Sequence, residues 1–174
     1  AETQKRKPIR ILVVDDERAI REIFEDNLSA LGYQIETASN GEEALQKIET
    51  AGKFHILVTD LYMPGMDGIE LMTKAKELDK YLETIVITGY RSVETAVEAM
   101  RKGAFDYIDK PFHMEYIKMV IAKTVERSRL KREASKAKFY RYKSNLDGLT
   151  QLYNHRAFFQ LLKRELVRSK RYNH

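Results

Sequence analysis

A chain of 174 residues has room for one full core, which takes roughly 100 to 150 residues, and part of another. With no cysteine it can form neither disulfides nor thiolate metal sites; with no run near the roughly 20 apolar residues of a bilayer span, and no apolar signal stretch after A-E-T-Q-K-R-K-P, a soluble cytoplasmic protein with no membrane partner is expected. The net charge of +5 does not lie on the larger piece, because residues 1–122 hold 16 Lys and Arg against 22 Asp and Glu, residues 123–143 hold 9 against 2, and residues 144–174 hold 6 against 2; an acidic piece with a basic helical tail makes nucleic acid an unlooked-for partner.

Residues 9–14 (I-R-I-L-V-V) form a short β-branched run ending in Asp15 and Asp16. Ile20, Ile23, Phe24, Leu28 and Leu31 then follow at helical spacing before Gly32. The strand and helix pattern recurs at 33–37 and 41–50, at 55–59 and 68–78, at 84–88 and 91–102, and at 105–108 with a helix from Phe112. Five such units predict an α/β fold, a doubly wound parallel sheet with helices on both faces. Runs such as I-L-V-T and T-I-V-I-T, apolar on both sides, agree with strands covered twice.

The last of these helices has no stop signal between Met114 and about Asn145, so it is expected to extend roughly 45 Å and to project as a stalk. Two seams at spacings of three and four are available for a dimeric coiled coil. One runs Ile117, Ile121, Thr124, Ser128, Lys131, Ser135, Lys138, Tyr142, and the other Val120, Arg127, Leu130, Ala134, Ala137, Arg141. Residues 146–174 restart after Asn145 with L-D-G-L-T-Q-L-Y-N and an amphipathic run, too short to make a core alone. The expected division is therefore 1–122, a linking helix over 113–145, and a fragment over 146–174.

Functional groups of open α/β sheets gather at the carboxyl ends of the strands, where this sequence places Asp15, Asp16, Asp60, Thr88 and Lys110. Three carboxylates brought together repel one another unless a hard divalent cation binds through oxygen, and Mg²⁺ is favoured where phosphate also binds. Asp60, central at the end of the third strand, is the candidate nucleophile for in-line attack on a phosphoryl donor. Four scattered histidines, His55, His113, His155 and His174, do not suggest a metal site.

The segments L-V-V-D-D-E, L-V-T-D-L-Y-M-P-G-M-D-G, V-I-T-G-Y and G-A-F-D-Y-I-D-K-P-F resemble, in order and spacing, the receiver domain of two-component response regulators over about residues 8–122. The resemblance implies a flavodoxin-like five-stranded fold, with Mg²⁺ held by Asp15 or Asp16, by Asp60 and by the backbone carbonyl of Tyr62. It implies that Asp60 is phosphorylated by a histidine kinase or phosphotransfer protein. It further implies that Thr88 and Lys110 sense the phosphoryl group, that Tyr107 is an aromatic switch, and that the Lys110-Pro111 bond is cis. A homodimer through the face of the fourth helix, fifth strand and fifth helix and through the stalk is the expected assembly. Gly89 is expected to leave the approach to Asp60 open. Tyr62 and Tyr90, two residues past Asp60 and Thr88, occupy positions that tune dephosphorylation in receivers, and two aromatic rings there should exclude a hydrolytic water.

The run Asp147, Leu149, Thr150, Leu152 and Asn154 (D-x-L-T-x-L-x-N), followed by H-R-A-F-F, resembles the opening of GGDEF diguanylate cyclase domains, although His155 stands where that family usually has arginine. The signature loop and the nucleotide-binding residues are not in this sequence, so these residues cannot themselves make cyclic di-GMP. The resemblance implies a truncated cyclase domain, with GTP a substrate only of an intact parent. The alternative is a DNA-binding response regulator with a basic tail. A flavodoxin-like ligand binder or phosphatase is disfavoured by the paired aspartates and the lysine.

Overall fold

Alternation along the strands builds the core. In β1 (Arg10–Val14), Ile11 and Val13 point to one face of the sheet while Leu12 and Val14 point to the other, and all four are buried. β3 (Ile56–Asp60) and β4 (Glu83–Thr88) are buried at every position, as sheet interiors covered on both sides must be. β2 (Gln34–Ala38) and β5 (Asp106–Asp109) are less buried and form the edges. The strands pair in parallel in the order β2-β1-β3-β4-β5. The direction of winding reverses between β1 and β3, which opens a crevice beyond their carboxyl ends. The protein, described by a computed structural model, is a flavodoxin-like five-stranded receiver fold with a long C-terminal helix; residues 8–90, 92–147, 149–150 and 152–172 are described.

Helices α1 (Arg18–Ser29), α2 (Gly41–Thr50), α3 (Gly68–Leu78) and α4 (Val93–Arg101) follow the first four strands. Three have side-chain caps that satisfy otherwise unpaired amides: Asn40 accepts from the Glu43 N–H at 2.8 Å, Asp67 from Glu70 at 2.8 Å, and Ser92 from Thr95 at 3.4 Å. Phe24 and Leu28 of α1 pack on the Ile11, Ile56 and Ile85 face together with Ile117, Val120 and Ile121 of α5 (Met114–Ser144). Ala44, Ile48, Leu71 and Ala75 of α2 and α3 cover the opposite face. Burying a side chain the size of Phe24 contributes about 1.5–3 kcal/mol.

Several expectations shift against this frame. Ile23 and Leu31, expected on the buried stripe of the first helix, are exposed; α1 ends at Ser29, and its buried stripe is the narrower pair Phe24 and Leu28. The fourth helix begins at Val93 because Ser92 caps it, and Arg91 lies outside the described residues. The largest correction concerns the first coiled-coil seam. Ile117 and Ile121 belong to the core cluster that covers one face of the sheet, and Thr124 and Ser128 are also fully buried within the single chain, so this half of the seam is already covered. Val120 of the other seam is buried for the same reason, whereas Leu130 is exposed.

The chain divides into two compact units, Ala1–Leu130 and Lys131–His174. In the second, Leu146 and Tyr153 form an antiparallel bridge that closes a loop ahead of α6 (His155–Tyr172). Asp147 Oδ1 accepts from the Leu149 N–H at 3.2 Å and from the Thr150 N–H and hydroxyl, each at 3.0 Å. Asn154 caps α6 by accepting from the Ala157 N–H at 3.0 Å, and its Nδ2 donates to the Ser144 carbonyl at 2.8 Å. Leu149 and Leu152 are exposed, as are Phe158, Phe159 and Leu166 of α6. Gly148 and His174 lie outside the described residues. No helix among the described residues is long and apolar enough to cross a membrane.

Candidate phosphoryl and metal site

Register brings the acidic residues together. Val14 lies opposite Thr59 in the β1–β3 pairing, so the next residues, Asp15 and Asp60, emerge side by side at the crevice. Carboxylate oxygens of Asp15, Asp16 and Asp60 all fall within 4.8 Å of one another; Asp15 and Asp60 are buried and Asp16 is exposed. This all-oxygen set, open to solvent on the Asp16 side, suits a hard divalent cation that keeps some water. The other elements contribute at their own ends: Thr88 closes β4 and Lys110 follows β5, its backbone N–H donating to the Thr88 carbonyl at 2.6 Å.

Lys110 is the counter-ion of the cluster. Its ammonium lies 2.8 Å from Asp15 Oδ2, 2.7 Å from Asp60 Oδ2 and 3.4 Å from Glu17 Oε1. Burial opposes the charge on Lys110, but hydrogen bonds and charges from Asp15 and Asp60 outweigh it and hold its pKa above the ordinary lysine value. Burial raises the Asp15 carboxyl above its usual range, against the hydrogen bond from Lys110. Removing one partner of such a buried pair typically costs about 3–5 kcal/mol, so the cluster depends on either this lysine or a bound cation. The Lys110-Pro111 peptide is cis.

The remaining carboxylate oxygens are held by the backbone. Asp15 Oδ1 accepts from the Glu17 N–H at 2.9 Å and Asp60 Oδ1 from the Tyr62 N–H at 3.2 Å. Gly68, at the start of α3, lies so close to the end of β3 that a Cβ there would sit 2.1 Å from the Asp60 carbonyl oxygen. A side chain at this position would displace Asp60 itself.

The predicted sensing residues sit nearby in a different hydrogen-bonding arrangement from the one expected on phosphorylation. Thr88 is fully buried, and its hydroxyl engages the next loop, accepting from the Tyr90 N–H at 3.2 Å and donating to the Tyr90 carbonyl at 3.4 Å. The Tyr107 hydroxyl lies 3.0 Å from Thr95 Oγ1 and donates to the Tyr90 carbonyl at 3.5 Å, while its ring packs against the Leu61, Met72 and Val86 cluster. Tyr62 and Tyr90 meet edge to face with centroids 5.6 Å apart. A Cβ at Gly89 would meet nothing within 4 Å, so packing does not demand glycine there. His55 accepts from the Arg10 N–H through Nδ1, a structural role away from the cluster.

Sequence reasoning missed Glu17, Thr95, Gly68 and Arg21, whose Nη1 donates to the carbonyls of Asp15 and Asp16. The available signals were Glu17 adjoining the aspartate pair and Gly68 completing M-D-G; Arg21 and Thr95 act through partners that only the fold brings near.

A parallel α/β fold with a cation-ready carboxylate cluster and one lysine at its switch point defines a phosphoacceptor class of signalling domain. The chain belongs to the Response regulator receiver domain family, whose signature matches residues 11–122. It is 36% identical over 131 residues to the transcriptional regulatory protein TrcR of Mycobacterium tuberculosis, covering 75% of this chain and 51% of that protein. The beryllofluoride-activated NtrC4 receiver domain dimer is similar in structure, with TM-score 0.65 and 39% identity over 68% of this chain and 98% of that one. So is a structure described as adenylate cyclase from Rhodopirellula baltica, with TM-score 0.71 and 30% identity over 75% of this chain and 96% of that one. The chain spans between 26% and 51% of the length of the first curated relatives it matches. Receivers of this family bind Mg²⁺ at an acidic pocket and are phosphorylated by histidine kinases.

Proposed function

We propose that Asp60 is the phosphoacceptor of a phosphorelay response regulator, taking its phosphoryl group from a histidine kinase or phosphotransfer protein. The observation that carries this reading is Lys110 bridging Asp15 and Asp60 within a three-carboxylate cluster at the switch point. An Asp60 oxygen attacks phosphorus as the bond from phosphorus to the donor's imidazole nitrogen breaks; a proton already on the ring's other nitrogen lets it leave as neutral imidazole, and an acyl phosphate remains on Asp60. Asp15, Asp16, Asp60 and the Tyr62 carbonyl would hold Mg²⁺, which supplies positive charge to the phosphoryl oxygens when bound. Lys110 moves its charge from Asp60 to the new phosphoryl group. Thr88 exchanges its bonds with Tyr90 for a bond to a phosphoryl oxygen, which releases the Tyr90 backbone that holds Tyr107.

A change at Thr88 and Tyr107 reaches the surface of α4, β5 and α5, where Val93, Val97 and Met100 form an exposed stripe on α4 and Tyr116 and Met119 are exposed on α5. We infer a homodimer through this face, controlling a diguanylate cyclase domain in the intact parent. Support for the cyclase output comes from the Asp147 to Asn154 motif, whose polar members organise the loop before α6. A second reading, a DNA-binding regulator, is favoured by similarity to TrcR and by the basic tail. The cyclase reading expects the intact parent to convert GTP to cyclic di-GMP faster when Asp60 is phosphorylated; an intact parent that binds DNA and leaves GTP untouched supports the second reading instead.

Mass spectrometry after incubation with acetyl phosphate and Mg²⁺ tests the acceptor. The chain should gain the mass of one phosphoryl group, and Asp60→Asn should gain none. A gain that survives the substitution would place the acceptor elsewhere.

A further inference from the structure

Arg21 lies on the first turn of α1, and its guanidinium reaches back over the β1–α1 loop. One nitrogen, Nη1, donates to the main-chain carbonyl of Asp15 at 2.5 Å and to that of Asp16 at 3.1 Å. These carbonyls belong to the two adjacent residues whose carboxylates join Asp60 in the cluster. The loop is also tied on the Asp15 side chain, where Oδ1 accepts from the Glu17 N–H at 2.9 Å. A short loop pinned through both carbonyls and one carboxylate has little freedom to turn either aspartate away from Asp60.

We propose that Arg21 is a positioning residue that holds the β1–α1 loop in the conformation that aims Asp15 and Asp16 at a common cation. The inference rests on reading the cluster as a Mg²⁺ and phosphoryl site. It adds that the site's affinity is set partly from α1, by a cation that touches no ligand oxygen of the carboxylates. Holding the peptide planes of two successive residues matters because each carboxylate rides on the main chain by a single Cα–Cβ bond. A rotation of either plane would swing its carboxylate out of the shared position.

Charge and geometry predict opposite signs here. Arg21 is positive and stands close to where a cation would bind, so by Coulomb repulsion alone its removal would tighten Mg²⁺ binding. If it positions the loop, its removal weakens binding, and partners one shell out from a metal typically account for about 10–100-fold in affinity. Arg21→Lys keeps the charge and several donors but has a shorter reach and no planar fork, so it should retain part of the effect.

Mg²⁺ titration of the full chain without phosphodonor, followed by amide NMR shifts of Asp16 and Asp60, reads this directly, with thermal unfolding measured in parallel. The expected result is affinity weakened roughly 10–100-fold in Arg21→Met, an intermediate loss in Arg21→Lys, and a wild-type unfolding midpoint in the lysine variant. Arg21→Met or Arg21→Lys binding Mg²⁺ as tightly as wild type, or more tightly, would overturn the positioning role while leaving the cluster's reading intact. Wild-type chain that shows no saturable Mg²⁺ binding would overturn that reading and the proposal with it.

Discussion

Tyr62 and Tyr90 reach the mouth of the site from different loops, yet their rings touch edge to face, and both remain substantially exposed. Each follows a key residue by two positions, Tyr62 after Asp60 and Tyr90 after Thr88. We infer that water attacking an acyl phosphate on Asp60 approaches past this pair, whose ring faces would give it neither a hydrogen-bonding foothold nor a general base. A Tyr62→Asn, Tyr90→Glu double variant should therefore lose its phosphoryl group about tenfold faster, a barrier lower by about 1.4 kcal/mol. The check is decay of the phosphorylated mass after the donor is removed; an unchanged lifetime would rule out the shielding role. At this scale Asp15, Asp16, Asp60, Thr88 and Lys110 were legible because each lies at or just beyond the end of a strand, and strand ends converge in any fold of this type. Arg21 and Thr95 were not, since their partners are a loop carbonyl pair and a tyrosine hydroxyl reached across the fold.

Elements were legible where a local rule and tertiary packing agree. The helices over 41–50 and 68–78 lie where the sequence pattern placed them, and in the fold Asn40 and Asp67 cap their first turns. The edge strands were found by their place in the repeating strand and helix pattern. The long helix α5 was legible in extent but not in orientation. Its 31 residues follow from the absence of Pro and Gly, whereas the two seams drawn along it could not reveal that Ile117 and Ile121 pack on the sheet and that Thr124 and Ser128 are buried too. Periodicity identifies a face and leaves open what covers it. The loop over 145–154 was read as a motif, and the structure gives its polar members a local physical role: Asp147 gathers three donors and Asn154 starts α6.

For the molecule as a whole, charge is divided unevenly. Residues 1–122 carry six more acids than bases, while residues 123–143 carry seven more bases than acids. Two copies paired along the basic segment bring like charges together, a repulsion that falls as salt screens it over roughly 8 Å at physiological ionic strength. In the proposed homodimer the attraction would come from the exposed α4 stripe of Val93, Val97 and Met100. On this view a phosphoryl group on Asp60 shifts a balance between repelling basic helices and an attracting receiver face. Light scattering at physiological ionic strength, with and without beryllofluoride and Mg²⁺ as a phosphoryl mimic, tests that link from Asp60 to the assembly. The wild-type chain should move toward the dimer mass only when the mimic is present, and Asp60→Asn should not move at all. A wild-type mass indifferent to the mimic, or an equal response in Asp60→Asn, would contradict it.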